Sequence, residues 1–208
     1  LSFTNVGPIV KGREEQFMTP LLEKIPGVKI PVQATSRAYT GFLNRMRADV
    51  FDNLYYSAKA QGVNITNPRF IESLGELVNA GTGRGNLGRL ERIAPVLAQG
   101  LFSARKLAAT FNMINPLFYI KADPFVRKEA LKTMVAFVGG ATLITQLAKM
   151  AGAEVSDDPT SADFGKIKIG NTRFNMYGSY QQIAVLMARL WKGYATSSTT
   201  GKKMMLGE

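Results

Sequence analysis

Three glycines in the segment GTGRGNLG have the spacing of a nucleotide-binding loop. Gly83, Gly85 and Gly88 match G-x-G-x-x-G, in which glycine lets the backbone approach a pyrophosphate. A dinucleotide site also needs a strand before the loop, a helix after it and an acidic residue further on for the ribose. Here a helical pattern precedes the loop, and no acidic residue stands at the ribose position. The segment therefore indicates a glycine-rich break between helices and no cofactor.

Positive charge is the second feature with a chemical consequence. The chain has 26 Lys and Arg against 15 Asp and Glu, a formal charge of +11. This excess favours anionic partners, either nucleic acid or a phospholipid surface. The candidate contact residues lie around the glycine break and at the head of the longest helical pattern: Arg84, Arg89, Arg92, Arg105, Lys106, Arg127 and Lys128. Two alternatives stay open for the first cluster, a solvated face and an anion-binding loop with Arg84, Arg89 and Arg92.

Three aspartates form the main acidic cluster. Asp157, Asp158 and Asp163 could bind a divalent cation or act in glycoside hydrolysis. Their spacing is not that of a calcium loop, and no catalytic partner pattern accompanies them. We expect a polar loop whose aspartates cap neighbouring helix ends.

The chain has no His and no Cys. Disulfides, thiolate zinc sites, cysteine nucleophiles and imidazole-dependent triads are therefore excluded. We predict no catalytic residue, no metal and no cofactor in this segment. The aromatic side chains could stack on bases, but at helical spacing they are more typical of a core.

The longest helical pattern runs from Asp123 to Gly152, with an N-cap aspartate followed by a first-turn proline. No charge occurs between Lys132 and Lys149, and Gly139 and Gly140 lie in the middle. A helix that is apolar all round lies in a core or in lipid. We predict that the two glycines permit close backbone approach in packing or assembly. No charge-free apolar run reaches the 18 residues of an ordinary transmembrane span.

The remaining elements are predicted from periodicity and breakers, and together they indicate a mainly α, bundle-like domain with one small β-hairpin at about 166–175. Before the long helix we predict an extended segment at 28–32 and four helices: Thr35 or Ser36 to Gln61, Asn67–Ala80, 89–100 and 103–115. An apolar connector at 117–120 leads into the long helix. After it we predict a hairpin that turns at Gly170-Asn171 and a helix from a Ser179 cap to Tyr194.

The domain boundaries are predicted from the same pattern. An extended lead-in and short helix cover 1–33, a helical core 34–154, a loop, hairpin and docking helix 155–194, and a mobile tail or connector 195–208. Because residue 1 is leucine, we expect a piece of a longer polypeptide.

Four stretches together resemble a known family: GRGNLGRLERIAP, DPFVRKEALK, AGAEVSDDPTSADFGKIKIGNTRF and SSTTGKK. They are similar to the large polyvalent-protein-associated domains of tailed phages, whose carriers include internal virion proteins injected with the genome. The resemblance extends over most of the chain from about Arg13. It implies no catalytic residues. It implies a role inside the virion, at the portal or core, or in the ejected conduit through the host envelope.

Two functions are therefore considered. The first is a structural and interaction module of an internal virion (ejection) protein that forms a homo-oligomer, contacts portal or sister ejection proteins, and touches DNA or the host membrane. The second is a sequence-nonspecific DNA-binding domain of a large phage polypeptide; an enzyme ranks third. Three long uncharged stretches lead us to expect apolar surface buried between chains: Ile93–Ala104, Leu107–Ile120 and Thr133–Ala148.

Overall fold

The computed structural model describes residues 29–85 and 104–207, and these are mainly helical, as predicted. In chain order they form α1 Lys29–Ala60, α2 Pro68–Gly81, α3 Ala104–Ile114, α4 Pro116–Lys121, α5 Pro124–Met150, β1 Glu154–Val155, β2 Ile167–Ile169, β3 Thr172–Phe174, α6 Ser179–Lys192, β4 Tyr194–Thr196 and β5 Lys203–Met205. The helix predicted over 89–100 lies outside the described residues.

The chain divides into two compact units, which we call the N-terminal unit, Leu1–Leu131, and the C-terminal unit, Lys132–Glu208. The division falls inside α5, so the first turns of this helix belong to the N-terminal unit and the rest to the C-terminal unit.

The core of the N-terminal unit is built on α2. Its apolar residues recur at helical spacing, and Phe70, Leu74, Leu77 and Val78 are all buried. This helix packs against both α1 and α3. The Phe70 ring lies 6.2 Å from that of Phe125 at the start of α5. Burial of this apolar side of α2 therefore stabilises the unit.

Three helices in the N-terminal unit begin with an Asn-Pro or Asp-Pro pair. The side-chain oxygens of Asn67, Asn115 and Asp123 each accept a hydrogen bond, 3.0 Å long, from the backbone N–H two residues on. Proline suits the following position because its missing N–H would have no helical partner. The cap at Asn115 starts α4, so the stretch predicted as a connector, 117–120, is helical.

Helix α1 begins at Lys29, earlier than predicted, and the expected extended segment 28–32 is therefore wrong from residue 29 onward. Pro31 was the reason for that prediction. It lies in the first turn, where backbone N–H groups have no intrahelical acceptor, so proline is tolerated there.

The C-terminal unit contains two small antiparallel sheets. The predicted hairpin is present as β2–β3, with Ile169 opposite Thr172. Gly170 starts the two-residue turn at φ +58°, the left-handed value that the hairpin turn requires there. Strand β1 adds a third, unpredicted strand through the Val155–Ile167 pair.

The segment predicted as a mobile tail, 195–208, contains most of the second sheet. Strand β4 pairs with β5, and Ala195 stands opposite Met204. The preceding helix also differs from the prediction, because its cap position is Gly178 and not Ser179. It ends at Gly193, whose φ of +73° turns the chain into β4, so Tyr194 is a strand residue.

Candidate interaction surfaces

The structure brings together two of the predicted basic positions near the glycine break. Arg84 comes after α2, and its backbone N–H donates to the Asn79 carbonyl over 2.7 Å. A Cβ built at neighbouring Gly83 would lie 3.9 Å from Cγ of Lys106, so this loop and the start of α3 are adjacent. The Arg84 side chain is half-buried, whereas Lys106 is exposed. Arg89, Arg92 and the Arg105 side chain lie outside the described residues.

The two basic residues at the head of α5, Arg127 and Lys128, differ in their contacts. Arg127 is half-buried and its Nη2 lies 3.4 Å from the Ala122 carbonyl oxygen, while Lys128 is exposed. Arg69 has the larger structural role here. Its guanidinium donates to three successive carbonyls, those of residues 120–122, at 2.8–3.2 Å. Of these predicted cations, Lys106 and Lys128 have exposed side chains.

The three aspartates of the acidic cluster do not form one site, and they do not cap helix ends. Asp157 pairs with Lys149 at 2.6 Å. Asp163 pairs with both Lys166 and Arg173, which fixes the hairpin to the preceding loop. Among the residues that the structure describes, no group of three His, Cys, Asp or Glu could hold a metal.

A buried threonine joins the polar loop to the second sheet, and sequence reasoning missed it. The Thr160 hydroxyl lies 2.8 Å from Oδ1 of Asp158 and 2.7 Å from the hydroxyl of Thr196. Arg189 of α6 donates to the Thr160 carbonyl over 2.8 Å. We call these four residues the Thr160 network. Asp158-Pro159 was the available signal, since it repeats the Asx-Pro pattern of the three helix caps.

The hydrogen bonds of this network lower the pKa of Asp158. The largest cause is the Thr160 backbone N–H, followed by the Thr196 and Thr160 hydroxyls. Hydrogen bonds to the charged form of a carboxyl favour that form. The arrangement stabilises the loop.

Helix α5 buries one side only. Ala141 and Thr145 are buried, the Phe137 ring packs 5.4 Å from that of Tyr180, and the Thr142 hydroxyl lies 3.1 Å from that of Tyr177. At 3.6 residues per turn, the opposite side of the helix carries a different set of residues. These are Val135, Gly139, Leu143, Leu147 and Met150, which we call the α5 face; all five are exposed.

Gly139 and Gly140 were predicted to permit close approach of another segment, but no described part of the chain lies close to them. Gly139 and Gly140 are exposed, and a Cβ built at either meets nothing within 4 Å. The predicted close approach is therefore not made by any described segment of this chain. Their role in packing between chains stays a prediction.

Of the described helices, α5 alone is long and apolar enough to qualify as a membrane span by length and composition. The core helices of soluble proteins pass the same test, so this finding by itself assigns no membrane.

Comparisons with family models, with curated proteins and with solved structures gave no match to this chain.

Proposed function

We propose that this chain is a non-catalytic structural and interaction module of a phage internal virion (ejection) protein. It assembles with copies of itself and with portal or other ejection proteins, first inside the virion and then in the host envelope, where it aids genome delivery. The observation that carries the assembly role is the exposed α5 face. The virion context is supported by the resemblance of four stretches of sequence to phage polyvalent-protein-associated domains.

The α5 face is suited to contact another helix. Residues 133–148 are uncharged and extend over about 24 Å at 1.5 Å per residue. Large exposed apolar patches mark interaction sites in soluble proteins. Gly139 lies between Val135 and Leu143 on this face and leaves a shallow gap between larger side chains. A second helix could insert its own side chains there, as ridges insert into grooves.

The polar chemistry of the C-terminal unit supports a role without catalysis. Asp157 and Asp163 are held in ion pairs with Lys149, Lys166 and Arg173. Asp158 accepts two hydrogen bonds from Thr160. Each of these carboxylates therefore contributes to the structure of the loop and hairpin, which supports a structural role for this unit.

Site-specific photocrosslinking tests the assembly role. We would place a photoreactive phenylalanine analogue at Leu143, on the α5 face, and at Gln61, an exposed polar position after α1, as the matched control. We expect position 143 to crosslink to a second copy in purified protein and to a virion protein in particles. No crosslink at 143, or equal crosslinking at both positions, contradicts the proposal. Absence of the chain from purified particles contradicts the virion context.

A sequence-nonspecific DNA-binding domain is the second candidate, favoured by the proximity of Lys106 to the Arg84 loop. Phosphate-driven binding to duplex DNA should weaken steeply with salt. Reversing charge at Lys106 and Lys128 should flatten that dependence, whereas reversing Lys59 of α1 should not. DNA binding that both variants retain unchanged would exclude these lysines from a DNA site.

A further inference from the structure

The end of α6 displays large apolar side chains. Trp191, the only tryptophan of the chain, is 91 % exposed, and Leu190 beside it is 64 % exposed. Tryptophan is normally well buried in folded proteins because its ring has so much apolar area. The buried residues of the same helix, Gln181, Ile183 and Val185, lie in its first half. The helix therefore packs through its first two turns, and Trp191 lies beyond this packed part.

The β4–β5 hairpin brings a second apolar group to the same end of α6. The Leu206 N–H donates to the Gly193 carbonyl over 2.9 Å, which returns the chain to the point where α6 ends. Met205 and Leu206 are exposed. Met204 is also exposed, but it faces the opposite side of the hairpin because successive strand residues alternate. We call Leu190, Trp191, Met205 and Leu206 the α6–hairpin surface.

Three lysines lie at the edge of this surface. Lys192, Lys202 and Lys203 lie within or beside it and are exposed. The Lys203 ammonium is placed 4.8 Å from the centroid of the Tyr194 ring, and Lys192 is near enough to Asp158 to help lower the pKa of that carboxyl. The surface therefore combines apolar side chains with nearby positive charge.

We propose that the α6–hairpin surface docks onto an anionic lipid bilayer. Tryptophan favours the boundary between headgroups and acyl chains, and leucine and methionine gain from entering it. Lysines at the rim can extend to lipid phosphates while their methylene stems stay against apolar groups. A nucleic acid would use the lysines and the indole but leave Met205 and Leu206 in water. Charge and apolar content together favour lipid.

This surface shares no residue with the α5 face. Lipid docking requires neither self-association nor a virion context, so the two proposals can fail separately.

Trp191 provides the direct test, since every tryptophan signal comes from this surface. The full 208-residue chain would be mixed with phosphatidylcholine vesicles containing or lacking about 30 mole per cent phosphatidylglycerol, an anionic content at which surface attraction becomes strong. We expect a blue shift of the emission, quenching by brominated lipid, and flotation with anionic vesicles that falls as salt rises. Flotation without any change in Trp191 emission would overturn the proposal, as would no flotation at low salt.

Matched variants separate this surface from the rest of the protein. Met205→Ser with Leu206→Ser, and separately Lys202→Gln with Lys203→Gln, should each lower vesicle affinity by about tenfold, a typical effect of losing one or two good interfacial contacts. Phe42→Ser, at a 65 % exposed position of α1, is the control and should leave flotation unchanged. Loss of flotation in that control with retention in the hairpin variants overturns the proposal. Quenching of Trp191 by single-stranded DNA under conditions where anionic vesicles do not bind also overturns it, in favour of a nucleic-acid site.

Discussion

Helix α2 and the second half of α5 are both rich in apolar residues, yet α2 lies between two helices and α5 is covered on one side. In α2 the apolar residues form a single stripe, which includes Phe70 and Leu74, and that stripe is buried. In α5 they occur all around the helix, and only the side with Ala141 and Thr145 is buried. A stripe identifies the buried side of a helix. An apolar pattern all around a helix does not identify what covers the sides that the chain itself leaves exposed.

The two units also differ in what stabilises them. The N-terminal unit has an apolar core with a chain of aromatic rings, including Phe70 against Phe125. The described hydrogen bonds and ion pairs of the C-terminal unit connect loop, hairpin and α6 through Asp163 and Thr160. We therefore expect mutations in apolar residues to destabilise the first unit and mutations in polar residues to destabilise the second.

The same substitution at two leucines should give the largest contrast. Leu74→Ala, at a position with 0 % exposure, removes buried methyl groups and should lower the free energy of unfolding by about 2–5 kcal/mol. Leu143→Ala, at 60 % exposure, should change it by about 0.5 kcal/mol or less in the monomer. Urea denaturation followed by circular dichroism at low protein concentration measures both. Equal losses at the two positions would show that the α5 face is packed within the chain.

Removing the Thr160 hydroxyl should have the next largest effect. Thr160→Val keeps the shape of a fully buried side chain but leaves Asp158 and Thr196 without their shared partner. The expected loss is about 0.5–1.5 kcal/mol, the net contribution of a typical hydrogen bond, because Asp158 and Thr196 are half-buried and Asp158 keeps the bond from the Thr160 N–H. Faster hydrogen exchange in β4 and α6, but not in α2, would locate the effect in the C-terminal unit. Thr199→Val, at an exposed position, is the control, and an equal effect there would exclude the network as the cause.

Gly140 tests whether the exposed side of α5 has free space. Since a Cβ there meets nothing within 4 Å, Gly140→Ala should stabilise the monomer by about 0.5–1 kcal/mol through helix propensity. Gly140→Leu should also leave the melting temperature of the monomer intact, yet weaken self-association if a partner helix approaches closely. Thermal melts at low concentration and light scattering at high concentration separate the two effects. A lower monomer melting temperature in both variants would mean that the site is crowded.

The smallest expected effect is the part of the acid-side pH dependence that comes from Asp158 in the C-terminal unit. The pKa of Asp158 is lowered in the folded state, so its contribution to stability is present above the unfolded-state pKa of about 3.9. That contribution is lost as pH falls from this value through the lower folded-state pKa. As pH is lowered, β4 should lose less protection from hydrogen exchange in Asp158→Asn than in the unmodified chain. The substitution should not change the protection of α2. An unchanged acid profile in the variant would contradict this assignment.

Local signals in the sequence predicted much of the fold. Asn67-Pro68 and Asp123-Pro124 correctly marked helix starts, and Gly170 marked the hairpin turn. The same Asx-Pro pair at Asp158 starts a turn and not a helix, because the chain there continues into the Thr160 network. Whether such a pair starts a helix or a turn depends on distant partners that the local pattern does not contain.

The candidate surfaces were less predictable than the fold. Net charge indicated anionic partners, but it did not distinguish the exposed Lys128 from Arg127, which donates to a backbone carbonyl. The α6–hairpin surface was missed because residues 195–208 looked like a tail. The short strand β5 becomes visible only through its pairing with β4, which places Met205 opposite Tyr194.

The central claim is that the α5 face is an interface between chains, and sedimentation velocity over a concentration series tests it most directly. We would compare the 208-residue chain with the double variant Leu143→Lys and Leu147→Lys. Both substituted positions are exposed, so the fold should tolerate lysine. We predict that the unmodified chain shifts to larger species as concentration rises and that the double variant sediments as a monomer throughout. A chain that stays monomeric at every concentration, or an association that the two lysines leave unchanged, would contradict the claim.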